Sequence, residues 1–167
     1  TVVPNDTTKY MQNVATMKYT YDMISDAYYD GRTICIFRLS DVILCKAEIE
    51  NNLNGPAAAL PYLNQIRARA GAPEYGKHNR FPAPSTKEAM NDAILKERGY
   101  ELVFEFQRRA DLIRFGKYEE VVNAHLKKLG IAQPTNVTSS LRYFPYPLND
   151  AQLNPNLAAE NPSRLPK

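Results

Sequence analysis

The sequence predicts a mainly α-helical fold, in which a helical hairpin and further packed helices are joined by long irregular loops with at most short strands. Three observations carry that prediction. Leu39, Val42, Ile43, Ala47 and Ile49 recur at the spacing that lines the sides of a helix over 39–53. Asn54-Gly55 closes that segment and Pro56 opens the next, because Gly takes up the left-handed conformation that ends a helix and Pro is preset for a first turn. A third helical stretch rich in Glu and Arg follows Ser85, whereas Pro134, Pro145, Pro147, Pro155, Pro162 and Pro166 exclude any long element near the C-terminus.

Residues 1–37 form a polar, turn-rich lead-in that holds Tyr10, Tyr19, Tyr21, Tyr28 and Tyr29 among the chain's 11 tyrosines. Asp30-Gly31 is a turn signal, and 33–37 alternates well enough for a short strand after it. A tyrosine offers an apolar face and a polar tip, so Tyr28 and Tyr29 are candidates for stacking on a sugar ring; the plainer reading packs them on the helices. The hairpin occupies 38–71. Ser40 or Asp41 would cap its first helix, and Ala57, Ala58, Ala59, Leu60, Leu63 and Ile66 line its second until Gly71 stops it. Pro61 deletes one backbone hydrogen bond at a cost of about 3 kcal/mol, so a kink or a restart near Leu60 is expected. The pair has the size of a tetratricopeptide-type unit of about 34 residues, which cannot bury both of its faces alone.

A loop over 72–84 carries His78, Pro82 and Pro84, and Ser85 to Glu88 then reads as a capping box. The helix it starts draws its apolar surface from Met90, Ala93, Ile94, Tyr100, Leu102, Val103, Phe104 and Phe106 and is expected to run on past Glu105. Tyr118 to Leu129 forms another amphipathic helix, which completes the helices of 85–130. The remainder, 131–167, reads as an irregular tail wrapped against the helical core through the apolar run 141–146. The whole is one region, 1–167.

A chain of 167 residues suits a single domain that buries roughly 70% of its unfolded surface. Its 21 basic and 18 acidic residues are interspersed and leave a net charge of +3, so no nucleic-acid partner is assigned. Cys35 and Cys45 match neither a zinc spacing nor a redox pair and read as buried free thiols. No run of about 18 apolar residues would span a membrane. The chain starts at Thr1 without an initiator Met or a signal-like segment, which leads us to expect a processed or excised piece.

The chemistry concentrates in 97–116. Glu97, Glu101 and Glu105 recur every fourth residue, so on one continuous helix they would stack on one face and repel. A carboxylate-bridged metal would need Glu-x-x-His pairs, but only His78 and His125 are present and neither has the spacing. A glycosidase needs two carboxyls about 5–9.5 Å apart that flank a bond, and carboxyls on one helix face point the same way. Neither a catalytic residue, a metal nor a cofactor is therefore assigned. The arginines supply a third reading. Arg67, Arg69, Arg98, Arg108, Arg109 and Arg114 offer enough forked donors to hold Glu48, Glu97, Glu101, Glu105 and Asp111 in a structural ion network, with Arg108 on Glu105 or Asp111.

With these residues in view, the sequence resembles the SusD/RagB family, the substrate-capturing outer-membrane lipoproteins of Bacteroidetes-type nutrient importers. Arg38 to Glu48 is similar to the family's Arg-x-Ala-Asp-apolar-x-Leu-x-x-Ala-Glu helix, and Leu63 to Gly71 to its Leu-Asn-x-Val-Arg-x-Arg-Ala-Gly end. Glu97, Arg98, Glu101, Leu102, Phe104, Glu105, Arg108, Asp111, Leu112 and Arg114 match its Glu-Arg-x-x-Glu-Leu-x-Phe-Glu-Gly-x-Arg-x-x-Asp-Leu-x-Arg signature. Tyr143 to Pro147, Asn154-Pro155 and Asn161-Pro162 resemble its closing segment. Phe106 stands where the family usually has Gly, Phe115 where it often has Trp, and Pro61 interrupts the second hairpin helix.

The resemblance implies a binding protein rather than an enzyme, lipid-anchored at the outer membrane on the cell surface. The implied ligand is a glycan, with oligopeptide as the variant use of the same fold, and the implied partner is a SusC-like TonB-dependent transporter. Contact with the membrane would be through a lipid anchor that these residues do not include. The alternative is a tetratricopeptide-like protein-interaction module. The ligand-contacting residues of the family vary with substrate, so none is carried over.

Overall fold

The structure is a computed structural model that describes residues 35–129 and 137–160. Tyr28, Tyr29 and most of the strand expected at 33–37 lie outside the described residues, and the part described, Cys35–Phe37, contains no strand. Among the described residues there are seven α-helices: α1 (Leu39–Asn54), α2 (Pro56–Arg69), α3 (Lys87–Glu101), α4 (Arg108–Arg114), α5 (Tyr118–Lys128), α6 (Leu148–Leu153) and α7 (Pro155–Glu160), with a 3-10 turn at Ser139–Arg142. The fold is mainly helical, and among the described residues the sole β pairing is the single bridge of His78 with Phe81.

The core lies where α1, α2 and α3 meet. Leu44 and Ala47 come from α1, Ala59, Leu63 and Ile66 from α2, and Met90, Ala93 and Ile94 from α3. Gly55 at φ 88 makes the tight joint between α1 and α2, as the Asn-Gly-Pro run predicts. Pro61 does not break α2, which runs unbroken through Arg69. Its ring is on the exposed side, and burial of Leu63 and Ile66 on the other contributes about 1.5–3 kcal/mol each, enough to offset the lost hydrogen bond.

Both expected caps move. Arg38, in extended conformation, precedes α1 with no side-chain cap, and Ser40 and Asp41 are buried in the first turn. At α3 the cap is Thr86, whose Oγ1 accepts from the Ala89 amide at 3.1 Å, one residue later than a Ser85–Glu88 box. Glu88 still places its charge in the first turn, where the helix dipole favours it.

The larger correction is that α3 ends at Glu101 instead of passing through Glu105. Leu102 caps it, the chain turns over 102–107, and α4 restarts at Arg108. Phe104 and Phe106 hold left-handed backbone at φ 62 and 61, a region L-residues enter at a cost of about 1–2 kcal/mol. The usual family glycine falls at 106, and its reason is now visible. Inside α3, Gly99 has a different use: a Cβ there would come 2.9 Å from Arg108 Nη1, so the missing side chain seats a guanidinium.

The tail is less irregular than expected, since Pro147 precedes α6 and Pro155 begins α7, positions where a missing N–H costs nothing. Its first part is tied to α4 and α5. Asn123 exchanges hydrogen bonds with the Val137 backbone at 2.7 and 2.9 Å, Arg142 pairs with Glu119 at 2.7 Å, and Arg109 lies 4.3 Å over the Phe144 ring. Cys35 is exposed and Cys45 half-buried; neither forms a disulfide.

Candidate functional site

The end of α3 and the turn after it present three carboxylates, each of which meets arginine. Arg67 comes from the last turn of α2 and donates from Nη1 to Glu97 at 2.7 Å, both side chains being buried. Glu101 is held by Arg69 and by Arg38, which also bonds the Glu101 carbonyl. Because the chain has left the helix, Glu105 faces Arg38 from the turn, and Arg38 Nε reaches its two oxygens at 2.8 and 2.9 Å. Arg38 thus bridges Glu101 and Glu105, and its charge offsets their mutual repulsion.

A second layer lies beneath. Arg98 is 3% exposed and meets Asp41 at 2.7 Å and Asp111 at 2.8 Å; the second contact is close in charge but poorly aligned as a hydrogen bond. Arg114 joins Asp111 at 3.2 Å to Glu48 on α1. Of the residues proposed from sequence, Arg108 stands apart from the ion pairs: its Nη1 donates to the Leu95 carbonyl at 2.7 Å, and it pairs with neither Glu105 nor Asp111. Arg109 Nη2 donates to the Arg142 carbonyl at 2.8 Å. Two members were missed. Arg38 reads in sequence as a residue before a helix, and Asp41 as a cap; what marked them was their place in the Arg-x-x-Asp start of the first family-like segment.

Burial works against the charge on Glu101, but the hydrogen bonds and charge of Arg38 outweigh it and hold the carboxyl below its ordinary range. Burial likewise opposes the charge on Arg98, while Asp111 and then Asp41 raise it above its usual value. Burial pushes the Cys45 thiol up. A carboxyl held ionised and paired with arginine is not suited to act as a general acid near neutral pH. Among the described residues no group of three or more His, Cys, Asp or Glu could hold a metal ion.

The network also reaches outward. Arg67 Nε donates to the Pro73 carbonyl at 2.6 Å, and its guanidinium lies 4.6 and 4.7 Å from the Tyr75 and Phe81 ring centres. Asn64 exchanges two hydrogen bonds with the Tyr75 backbone at 2.8 and 3.0 Å. Gly76 N donates to the Phe81 carbonyl at 2.7 Å and closes the loop on itself. Beside it opens a surface cleft of about 530 Å³ whose walls include Tyr75, Arg80, Phe81, Pro82, Pro84 and Lys96.

Comparison with known proteins identifies a family and several relatives. The sequence pattern of the SusD family matches residues 3–163. The chain is 39% identical over 120 residues to SusD-like protein P25 of Formosa agariphila, which covers 72% of the chain and 22% of that protein. It is 28% identical over 137 residues to the starch-binding protein SusD of Bacteroides thetaiotaomicron, covering 81% of the chain and 22% of that protein. The chain thus spans about a fifth of the length of these relatives. No solved structure matches.

Proposed function

The chain belongs to the SusD/RagB family, and from that premise we propose that it is the C-terminal region of a cell-surface, lipid-anchored outer-membrane protein that binds a nutrient glycan and passes it to a SusC-like TonB-dependent transporter. The family match across 3–163 carries the reading. The geometry supports it in two ways. The glutamates that could have formed an acid/base pair are engaged by Arg38, Arg67 and Arg69. The same buried arginine that pairs with Glu97 fixes the 73–81 loop, and a loop fixed in advance binds without the cost of being ordered. Its cleft falls within the roughly 300–1,000 Å³ of small-ligand sites and offers aromatic and proline walls with polar edges.

Calorimetric titration of the full-length protein against oligosaccharide and oligopeptide panels tests the reading. Saturable binding of an oligosaccharide is expected, weakened by Arg80→Ala if the cleft takes part. Saturable binding of peptides alone would transfer the fold to oligopeptide capture. Absence of binding across both panels would leave a tetratricopeptide-like protein-interaction module.

A further inference from the structure

Every arginine of the described residues but one gives its guanidinium to a carboxylate or a main-chain carbonyl. Arg80 is the exception. Its amide donates to His78 Nδ1 at 3.2 Å, but its exposed guanidinium meets no acceptor among the described residues. Glu74, the acid of the same loop, is taken by Lys77 at 2.8 Å. Lys96 lines the same cleft from α3 and is likewise without a carboxylate; its Nζ lies 6.0 Å over the Tyr100 ring. Asp92, the sole acid on the cleft walls, stands one turn before Lys96 but turns to Lys117, Oδ1 to Nζ at 4.0 Å. Two cations are thus left without a counter-charge in one cleft.

The walls narrow what such cations would hold. Tyr75 and Phe81 meet edge to face with ring centres 5.9 Å apart, and with Pro82 and Pro84 they give the cleft apolar faces suited to the carbon face of a sugar ring. Tyr100, 62% exposed and one turn beyond Lys96, carries the aromatic surface further along α3. Main-chain recognition is closed to a visitor. The amides of Tyr75, Gly76, Lys77, Arg80 and Phe81 all donate within the loop or to Asn64, and Pro82 and Pro84 have no N–H. An extended peptide that binds by adding main-chain hydrogen bonds to an edge is thereby disfavoured.

We propose that the cleft beside the 73–81 loop takes an acidic glycan, with the Arg80 guanidinium forked onto a sugar carboxylate or sulfate ester, Lys96 supplying a second positive charge, and the ring laid on Tyr75 and Phe81. A guanidinium matches either anion with two parallel hydrogen bonds, and an ammonium adds charge without fixing orientation. The inference rests on the proposed function, that the protein binds a glycan, and narrows it to sugars that carry a fixed negative charge.

Calorimetric titration of the full-length protein tests it, with hexasaccharides of glucose, galactose and mannose in neutral, 6-carboxylate and 6-sulfate forms. At low salt an acidic form should bind roughly tenfold or more tighter than its neutral counterpart, the factor one charge-assisted hydrogen bond supplies, and high salt should shrink that margin. Preference between the carboxylate and sulfate forms identifies the anion. Arg80→Gln and Lys96→Gln should each erase most of the margin without moving the urea midpoint, since both side chains are exposed. Lys128→Gln, which removes the same charge at the exposed end of α5, should leave the margin intact. A neutral sugar bound as tightly as its acidic forms overturns this inference and leaves the proposed function standing. So does a margin that survives Arg80→Gln combined with Lys96→Gln. A hexaglutamate peptide bound more tightly than every sugar would give the cleft to acidic peptides, and absence of binding by any sugar would overturn the proposed function together with this inference.

Discussion

Replacing Arg98 with Met keeps most of the side-chain volume and deletes the charge that joins α1 to α4. Asp41 then loses its ion pair and is left with the Cys45 thiol at 3.7 Å, whereas Asp111 retains Arg114 at 3.2 Å. Asp41 and Asp111 are 8 and 3% exposed, so water cannot replace the guanidinium without opening the helices. Stranding a charge in such a place costs about 3–5 kcal/mol, whatever the intact pair contributed. For a chain of this length each kcal/mol lowers Tm by about 2–4 °C, so a fall of about 6–20 °C is expected. Urea unfolding followed by circular dichroism at 222 nm gives the free energy directly. The pH dependence supplies an independent check. In the variant the stranded carboxyl prefers its neutral form, so its folded pKa rises above the unfolded value of about 3.9. Stability from a raised pKa is present below the unfolded value and lost as pH rises through the folded one. The deficit against the parent should therefore be small near pH 3.5 and largest near pH 7. Adding Asp41→Asn should recover more than half of it, because the charge that was stranded is gone. A loss under about 1 kcal/mol at pH 7, typical of solvated pairs, or a deficit constant from pH 4 to 7, would refute the buried clamp.

Three further outcomes follow from the same geometry. Glu101 has a depressed pKa, so its stabilisation is present above the ordinary value of 4.5 and lost as pH falls below it; Glu101→Gln should lower the urea midpoint at pH 7 and flatten its decline in acid, and parallel curves would contradict this. Phe106→Gly relieves left-handed backbone while giving up a side chain 86% exposed, so it should be neutral or stabilising by up to about 1 kcal/mol, and a clear loss in urea melts would show that the ring packs on something. Arg108→Ala should cost about 1–3 kcal/mol, the range for an orphaned carbonyl, and in that background Gly99→Ala should become stabilising although in the parent it collides with the guanidinium; additive effects of the two in thermal melts would contradict the seat.

The helical hairpin was legible because its signals are local. Asn54, Gly55 and Pro56 act on the backbone where they stand, and the structure closes α1 and opens α2 there. The supply of acids and arginines was legible too, but their pairing was not, since Arg38 lies 67 residues from Glu105 and charges in a sequence carry no address. The end of α3 was hidden for a different reason. Leu-Val-Phe-Glu-Phe contains no Gly, Pro or Asn, and the four-residue rhythm of the glutamates continues through the turn, so periodicity argues for a helix that the chain leaves. The family glycine at 106 was the sole cue. Asp41 misled in the same manner, as a short acid beside a helix start is usually a cap, and only the buried Arg98 opposite it explains another use.

The 73–81 loop is fastened mainly through its main chain, by Asn64 on Tyr75 and Arg67 on Pro73, with Tyr75 and Phe81 laid on the arginine. At its tip Lys77 pairs with Glu74 at 2.8 Å, and the Arg80 amide donates to His78 Nδ1 at 3.2 Å, so these bonds stay within the loop. The bonds that join the loop to the helices beneath thus come from Asn64 and Arg67, and the tip is tied to the loop alone. A protein that must meet many ligands with one scaffold could change its fingertips and leave its knuckles alone.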